Sequence, residues 1–211
     1  MRLTEIQLDA LREVANIGAG NAATSLSRLL EKRIQMQVTA AHLVPIGEVA
    51  RALGGAERLV TLVCFQVRGP AAGDFTLIFS EGDADRLAFR LLGRGAEKVV
   101  RRKELAESAL KELGNVYAGT YFKALSEMTN LRFTHSVPEM ATDMLQSLLD
   151  GILIRTAANI ERVFVLETHF EVEGNWIQTH ALFLPDAEGL EVLLKGLHLK
   201  IGEKGWDREG A

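Results

Sequence analysis

The sequence predicts an α+β fold in which two duplicated halves, each ordered helix, strand, helix, hairpin, helix, share one largely antiparallel sheet about a pseudo-twofold axis. Three observations predict it. A polar pattern occurs twice, as Asp9-x-x-x-Glu13-x-x-Asn16 and as Ser108-x-x-x-Glu112-x-x-Asn115. Its matching positions lie 112 − 13 = 99 and 115 − 16 = 99 residues apart, so the internal spacing is kept across half the chain. Local echoes then follow in the same order in both halves: FQVRG at 65–69 against FEVEG at 170–174, and DADRLAFRLLG at 83–93 against DAEGLEVLLKG at 186–196. Two such halves bury their strands most economically by merging them into one sheet, with the motif helices packed on it.

Taken in order, Thr4 and Gln7 form the signature of a capping box, and Ile6, Leu11, Val14, Ile17 and Ala22 follow at helical spacing. A helix is expected over about 5–30. Its middle, NIGAGNAATS, is unusually small, and Gly18 and Gly20 each cost about 1 kcal/mol against Ala in a helix interior. Close approach to a sheet or a second helix is the simplest offset. Ile34–Val44 reads as a strand broken at Val44-Pro45. A short helix over Ile46–Leu53 stops at Gly54-Gly55. Arg58–Arg68 reads as a buried strand and Asp74–Phe79 as its antiparallel return after the Gly69-Pro70 turn. Ser80, with Asp83 three residues on, caps a helix through Leu92 ended by Gly93. The charged RGAEKVVRRK segment joins the halves.

The order then repeats. The second motif helix is expected over Glu104–Met128 and a short strand over Leu131–His135. Val137-Pro138 takes the place of Val44-Pro45, a helix runs from Glu139 to about Leu149, and Gly151–Ala158 adds a strand. Arg162–Val172 and Trp176–Leu184 form a hairpin through Glu173-Gly174-Asn175. Residues 1–211 are thus expected to form a single domain of two repeats, about 1–100 and 101–200, with a short tail over 201–211.

Composition narrows the function. Of the 211 residues 47% are hydrophobic and 25% charged, as in a soluble globular protein, and the net charge of −4 supplies no basic field for nucleic acid. No apolar run approaches the ~20 residues of a membrane span, and MRLTEIQLDALREV lacks the apolar centre of a signal peptide, so a cytoplasmic location is expected. The single cysteine, Cys64, excludes an intramolecular disulfide and sits in an apolar run as a buried strand thiol. Five histidines are scattered without zinc-ligand spacing, and no serine stands in a nucleophile elbow. Gly18-Ala-Gly20-Asn-Ala-Ala23 imitates a dinucleotide loop, but that loop must follow a strand and here a helical pattern precedes it.

What remains is the repeated Glu/Asn pair. At about 100° per residue, Asp9 or Ser108, the Glu and the Asn fall on one helical strip. A carboxamide neither titrates nor attacks; it accepts a hydrogen from a water and donates to another group, fixing the direction of the water's lone pair. Positioning of that kind suits phosphoryl hydrolysis, whose loose transition state leaves the catalyst little covalent chemistry. A nearby carboxylate repels a phosphoryl dianion, so its sensible partner is a cation on whatever carries the phosphoryl group. A convex helix without a phosphate-binding loop makes that carrier another protein. Solvated side chains on a helix face, kept because duplication preserves the helix, are the bland alternative.

At these residues the sequence resembles the CheC family of chemotaxis phosphatases, relatives of CheX and FliY. The resemblance is carried by EVANIGAGNAATSLS at 13–27, ELGNVYAGTYFKAL at 112–125 and the two-half order, and it covers nearly the whole chain. It implies a phosphatase acting on the aspartyl-phosphate of a CheY-like response regulator at two quasi-equivalent surfaces. Asn16 and Asn115 would orient the attacking water, Glu13 and Glu112 would pair with a lysine of the regulator, and Asp9 and Ser108 would support or dock. It implies no metal and no cofactor of the chain's own, since the Mg2+ belongs to the regulator. It also implies binding of the receptor deamidase CheD through the second-half helix expected over Glu139–Leu149, with Gln146 and Asp150 as the residues concerned. Thr120 stands where the first copy has Asn21, so the two surfaces are expected to differ. The rival expectation is a noncatalytic binding module that sequesters CheD or the phosphorylated regulator. Two complete Glu/Asn pairs favour the enzyme.

Overall fold

In the computed structural model of the chain, the described residues are 4–92, 102–156, 162–185 and 187–197. Helix α1 (Glu5–Leu30) begins with the expected capping box: Thr4 Oγ1 accepts from the Gln7 N–H at 3.3 Å while Gln7 Oε1 accepts from the Thr4 N–H at 2.8 Å. Strand β1 (Ile34–Pro45) leads through a 3-10 turn (Ile46–Glu48) into the single turn α2 (Val49–Ala52). The chain leaves it through Gly54 and Gly55, whose φ angles of 101° and 118° favour glycine. Strands β2 (Leu59–Arg68) and β3 (Gly73–Ser80) form the first hairpin, and α3 (Glu81–Leu92) follows with Ser80 Oγ accepting from the Asp83 N–H.

The second half begins with α4 (Arg102–Thr129), followed by β4 (Thr134–His135), β5 (Glu139–Met144), α5 (Leu145–Thr156), the hairpin β6 (Arg162–Val172) and β7 (Asn175–Pro185), and α6 (Ala187–Gly196). The helix end expected at Gly93, most of the joining segment and the tail over 201–211 lie outside the described residues. The seven strands form one sheet in the order β1-β6-β7-β3-β2-β4, with β5 also pairing β2, and every pairing is antiparallel. Read from the seam between β7 and β3, that order is the same outward in both directions, which is the expected pseudo-twofold arrangement.

Helices α1, α3, α4 and α6 cover one face of the sheet and α2 and α5 the other, each closing its own apolar cluster. On the first face α4 contributes the bulk and α1 the space. Tyr117, Tyr121 and Phe122 crowd around Phe75, with Tyr121 stacked on it at 5.2 Å between ring centres. Opposite, α1 buries Ala15, Gly18, Ala19, Ala22 and Ala23. A Cβ on Gly18 would lie 2.7 Å from Tyr121 Cα, so the small residues of α1 let the two motif helices approach backbone to backbone.

Three expectations are overturned. Glu139–Met144 is a strand rather than the start of a helix, and a helix occupies Leu145–Thr156, which takes in the described part of the strand expected over Gly151–Ala158. The reason is that β5 is an edge strand whose side chains mostly face solvent, so its backbone pairing with Leu59–Cys64 leaves no alternation in the residues. The third concerns Val137-Pro138. Between His135 and Glu139 three residues oppose only two of β2, and between Val38 and Ala40 of β1 one residue opposes none of β6. Both strands thus carry one extra residue, Thr39 in β1 and one of 136–138 before β5, and Pro138 stands at 138 − 39 = 99 from Thr39. Val137-Pro138 therefore occupies the place of Val38-Thr39, and proline is tolerated there because a bulge needs no ladder donor.

Candidate active surfaces

On α1 the buried stripe of Leu11, Val14, Ala15, Gly18 and Ala22 fixes which side faces out, and Asp9, Glu13, Ile17 and Gly20 are exposed on it with Asn16 half-buried at its margin. The same logic acts on α4, where Leu110, Leu113, Gly114, Tyr117 and Ala118 turn inward and leave Ser108 and Glu112 exposed and Asn115 half-buried. Glu13, Asn16, Ile17 and Gly20 stand at i, i+3, i+4 and i+7, as do Glu112, Asn115, Val116 and Gly119, so each helix presents one four-residue patch.

The two patches differ in how their amides are held. Asn16 Oδ1 accepts from the backbone N–H of Val38 at 2.9 Å, just before the β1 bulge. β1 is an edge strand, and α1 supplies partners to its outward groups: Ser27 Oγ likewise bonds both the N–H and the C=O of Ile34. One acceptor site of Asn16 is therefore occupied, which fixes the carboxamide plane and leaves its NH2 to face outward groups. In the second half the corresponding strand is broken, Ser136 turns back onto Gln66, and Val137 is exposed. Among the described residues, the Asn115 side chain has no hydrogen-bond partner.

Neither leading residue reaches its Glu/Asn pair. Asp9 pairs with Arg12 at 2.9 Å, and Ser108 Oγ donates back to the Glu104 carbonyl at 2.8 Å. Glu13 and Glu112 make no ion pair among the described residues and are open to a cation from outside. Thr120 bonds back to the Val116 and Tyr117 carbonyls, whereas its counterpart Asn21 is exposed. One residue escaped the sequence reading. His135 lies beside the second patch, its Nε2 3.5 Å from where a Cβ on Gly119 would sit, and its Nδ1 donates to the Ser136 carbonyl at 3.0 Å, since a carbonyl only accepts. Nε2 is then the acceptor nitrogen of the neutral ring. Its counterpart at 135 − 99 = 36 is Met36, a difference readable only once the register of the repeats is known.

Gln146 and Asp150 fall on the first turns of α5, both exposed, with Gln146 Nε2 donating to Asp150 Oδ1 at 2.8 Å. Among the described residues no cluster of three or more His, Cys, Asp or Glu could hold a metal ion, and no helix is long and apolar enough to cross a membrane.

The model of the CheC-like family matches residues 6–38 and 105–141, and each matched stretch contains one copy of the Glu/Asn pattern. The chain is 31% identical over 199 residues to the CheY-P phosphatase CheC of Bacillus subtilis, covering 92% of this chain and 95% of that one. Among solved structures it superimposes on Thermotoga maritima FliY with a TM-score of 0.73 at 21% identity, over 94% of this chain and 98% of that chain. It also superimposes on the FliM middle domain of Vibrio alginolyticus with a TM-score of 0.63 at 18% identity, over 90% and 99%. Differently named proteins share this fold, so the side chains of the two patches must carry the functional argument.

Proposed function

The chain belongs to the CheC-like family, and on that premise we propose that it is a protein phosphatase hydrolysing the aspartyl-phosphate of a CheY-like response regulator at two surfaces, one on α1 and one on α4. The observation that carries this reading is that an exposed Glu stands beside a half-buried Asn on the outer side of each motif helix, Glu13 with Asn16 and Glu112 with Asn115, each pair inside one family-matched stretch. Glu13 or Glu112 grips a lysine of the regulator and seats the helix over the acyl phosphate. The carboxamide of Asn16 or Asn115 then aims a water at phosphorus. The new P–O bond forms as the bond to the aspartyl oxygen breaks, releasing inorganic phosphate and the free carboxylate. Positioning dominates, as a loose phosphoryl transition state requires. Mg2+ on the regulator would neutralise charge there, and the reading asks for no metal from this chain. Asp9 and Ser108, turned to Arg12 and to the helix backbone, act in docking rather than at the reacting atoms. Binding of CheD is assigned to α5, where Gln146 and Asp150 lie one turn apart on an exposed face. The protein works in the cytoplasm, where the regulator is.

The test is the decay of an acyl-phosphorylated CheY homologue with and without the chain. Asn16→Ala with Asn115→Ala is expected to remove the stimulated decay, about 100-fold or more, while the fold persists. Undiminished decay with the double variant overturns the reading. One observation favours the noncatalytic module at the first surface: the bond to Val38 gives Asn16 a structural task that would preserve it without catalysis. Under that reading the chain co-purifies with its partner but leaves the decay unchanged or slower.

A further inference from the structure

The glycines of the two motif helices fall into two kinds. Gly18 and Gly114 are there for internal contact: a Cβ on the first would strike Tyr121 Cα at 2.7 Å, and one on the second would meet Val63 Cγ1 at 2.9 Å. Gly20 has no such reason. It lies mid-helix, is exposed, and a Cβ built on it meets nothing within 4 Å. Its counterpart Gly119, at 119 − 20 = 99, would place a Cβ only in ordinary contact with His135. Alanine fits the protein at both positions and favours the helix, yet both repeats keep glycine four residues after the asparagine. The offset is therefore absent from the chain itself.

Resting on the reading above, we propose that Gly20 and Gly119 are specificity-determining contact points, at which the main chain of the phosphorylated regulator closes directly on the helix. Position i+4 from the asparagine lies on the same strip as the carboxamide, one turn along. A partner that brings an acyl phosphate within hydrogen-bond reach of a half-buried amide must lay neighbouring backbone on that next turn. A Cβ there holds the two surfaces apart by more than orienting a water tolerates. The exposed Ile17, 38% accessible and one residue past Asn16, gives the seat an apolar rim, and Val116 supplies the same at the second surface. Each patch thus combines a cation grip, an amide, an apolar edge and a bare stretch of backbone.

The experiment isolates one surface by placing Gly20→Ala and Gly20→Leu in an Asn115→Ala background. It follows the decay of a CheY homologue phosphorylated with a small acyl phosphate, together with the melting temperature. The expected result is a higher Tm for Gly20→Ala than for its background, with kcat/KM falling about tenfold and KM rising, and a larger fall for Gly20→Leu. A glycine with a merely structural role would instead lower Tm when replaced. Gly119→Ala in an Asn16→Ala background repeats the test if Gly20→Ala does not fold. Unchanged kcat/KM in folded glycine variants, with Asn16→Ala still silencing the Asn115→Ala background, overturns this inference and leaves the phosphatase reading intact. Persistent activity in the double asparagine variant overturns both.

Discussion

Truncating Asn16 strips the Val38 N–H of its acceptor at 2.9 Å on an edge strand, whereas truncating Asn115 strips nothing among the described residues. A lost partner of a partly buried donor costs about 1 kcal/mol. Asn16→Ala is therefore expected to lower unfolding free energy by about 1 kcal/mol and Asn115→Ala to leave it unchanged within error, as read by urea titration. Under the proposed mechanism the same asymmetry would bear on catalysis, because the Asn16 carboxamide is held by Val38 and Asn115 has no such bond among the described residues. Gly18 supplies a second measurable case. A methyl at that position meets the Tyr121 backbone, which has no rotamer to yield, so overpacking of about 1–3 kcal/mol outweighs the ~1 kcal/mol gained in helix propensity. Gly18→Ala is expected to lower Tm, in contrast to Gly20→Ala two residues away.

At the scale of elements, α1 was readable to the residue because its signals are local: Thr4 and Gln7 at its start and small apolar residues at helical spacing within it. Thr4→Ala removes one half of the capping box and is expected to cost about 1 kcal/mol, with fraying of the first turn visible in amide exchange. The hairpins were readable for the same reason, each joining two apolar runs across a glycine-bearing turn. Glu139–Met144 was not, since an edge strand that shows most of its side chains to water leaves no period in the sequence. In α5, Leu145, Leu149 and Ile152 are buried at i, i+4 and i+7, but Gly151 followed by Ile152-Leu-Ile154 imitates a strand. The patches were half readable. Spacing along one helix gave Glu13, Asn16, Glu112 and Asn115 a common strip, while the Val38 tether and the His135 neighbour arise across elements, where one sequence offers no signal.

At the scale of the whole molecule, buried titratable groups on opposite faces of the sheet bound the pH range of stability. On the α1/α4 face, burial pushes the Tyr117 phenol up to about 12, against the partial relief of its contact with Thr168, and pushes Tyr121 up further with its neighbour Tyr117 adding to the shift. A phenol raised in the folded state contributes stability that is whole below the unfolded value near 10 and is lost as pH climbs through the folded one. On the other face, burial lowers the pKa of His180, with Arg58 and His169 acting in the same direction and Glu167 opposing them. An imidazole depressed in the folded state contributes stability that is present above its unfolded value near 6.5 and is lost as pH falls below it. Urea titrations from pH 5 to 11 are expected to give a plateau between about 6.5 and 10 that falls on both sides, with His180→Gln flattening only the acid limb.

The seam joining β3 to β7 has one further consequence. There each half of the chain offers an antiparallel edge whose complement is its own rotated likeness, with Leu77 opposite Ala181 and Thr76 opposite Leu182. A polypeptide of half this length would therefore seek a second molecule of its own kind to close the gap. In this chain the two edges close on each other within one molecule, an intermolecular handshake made intramolecular.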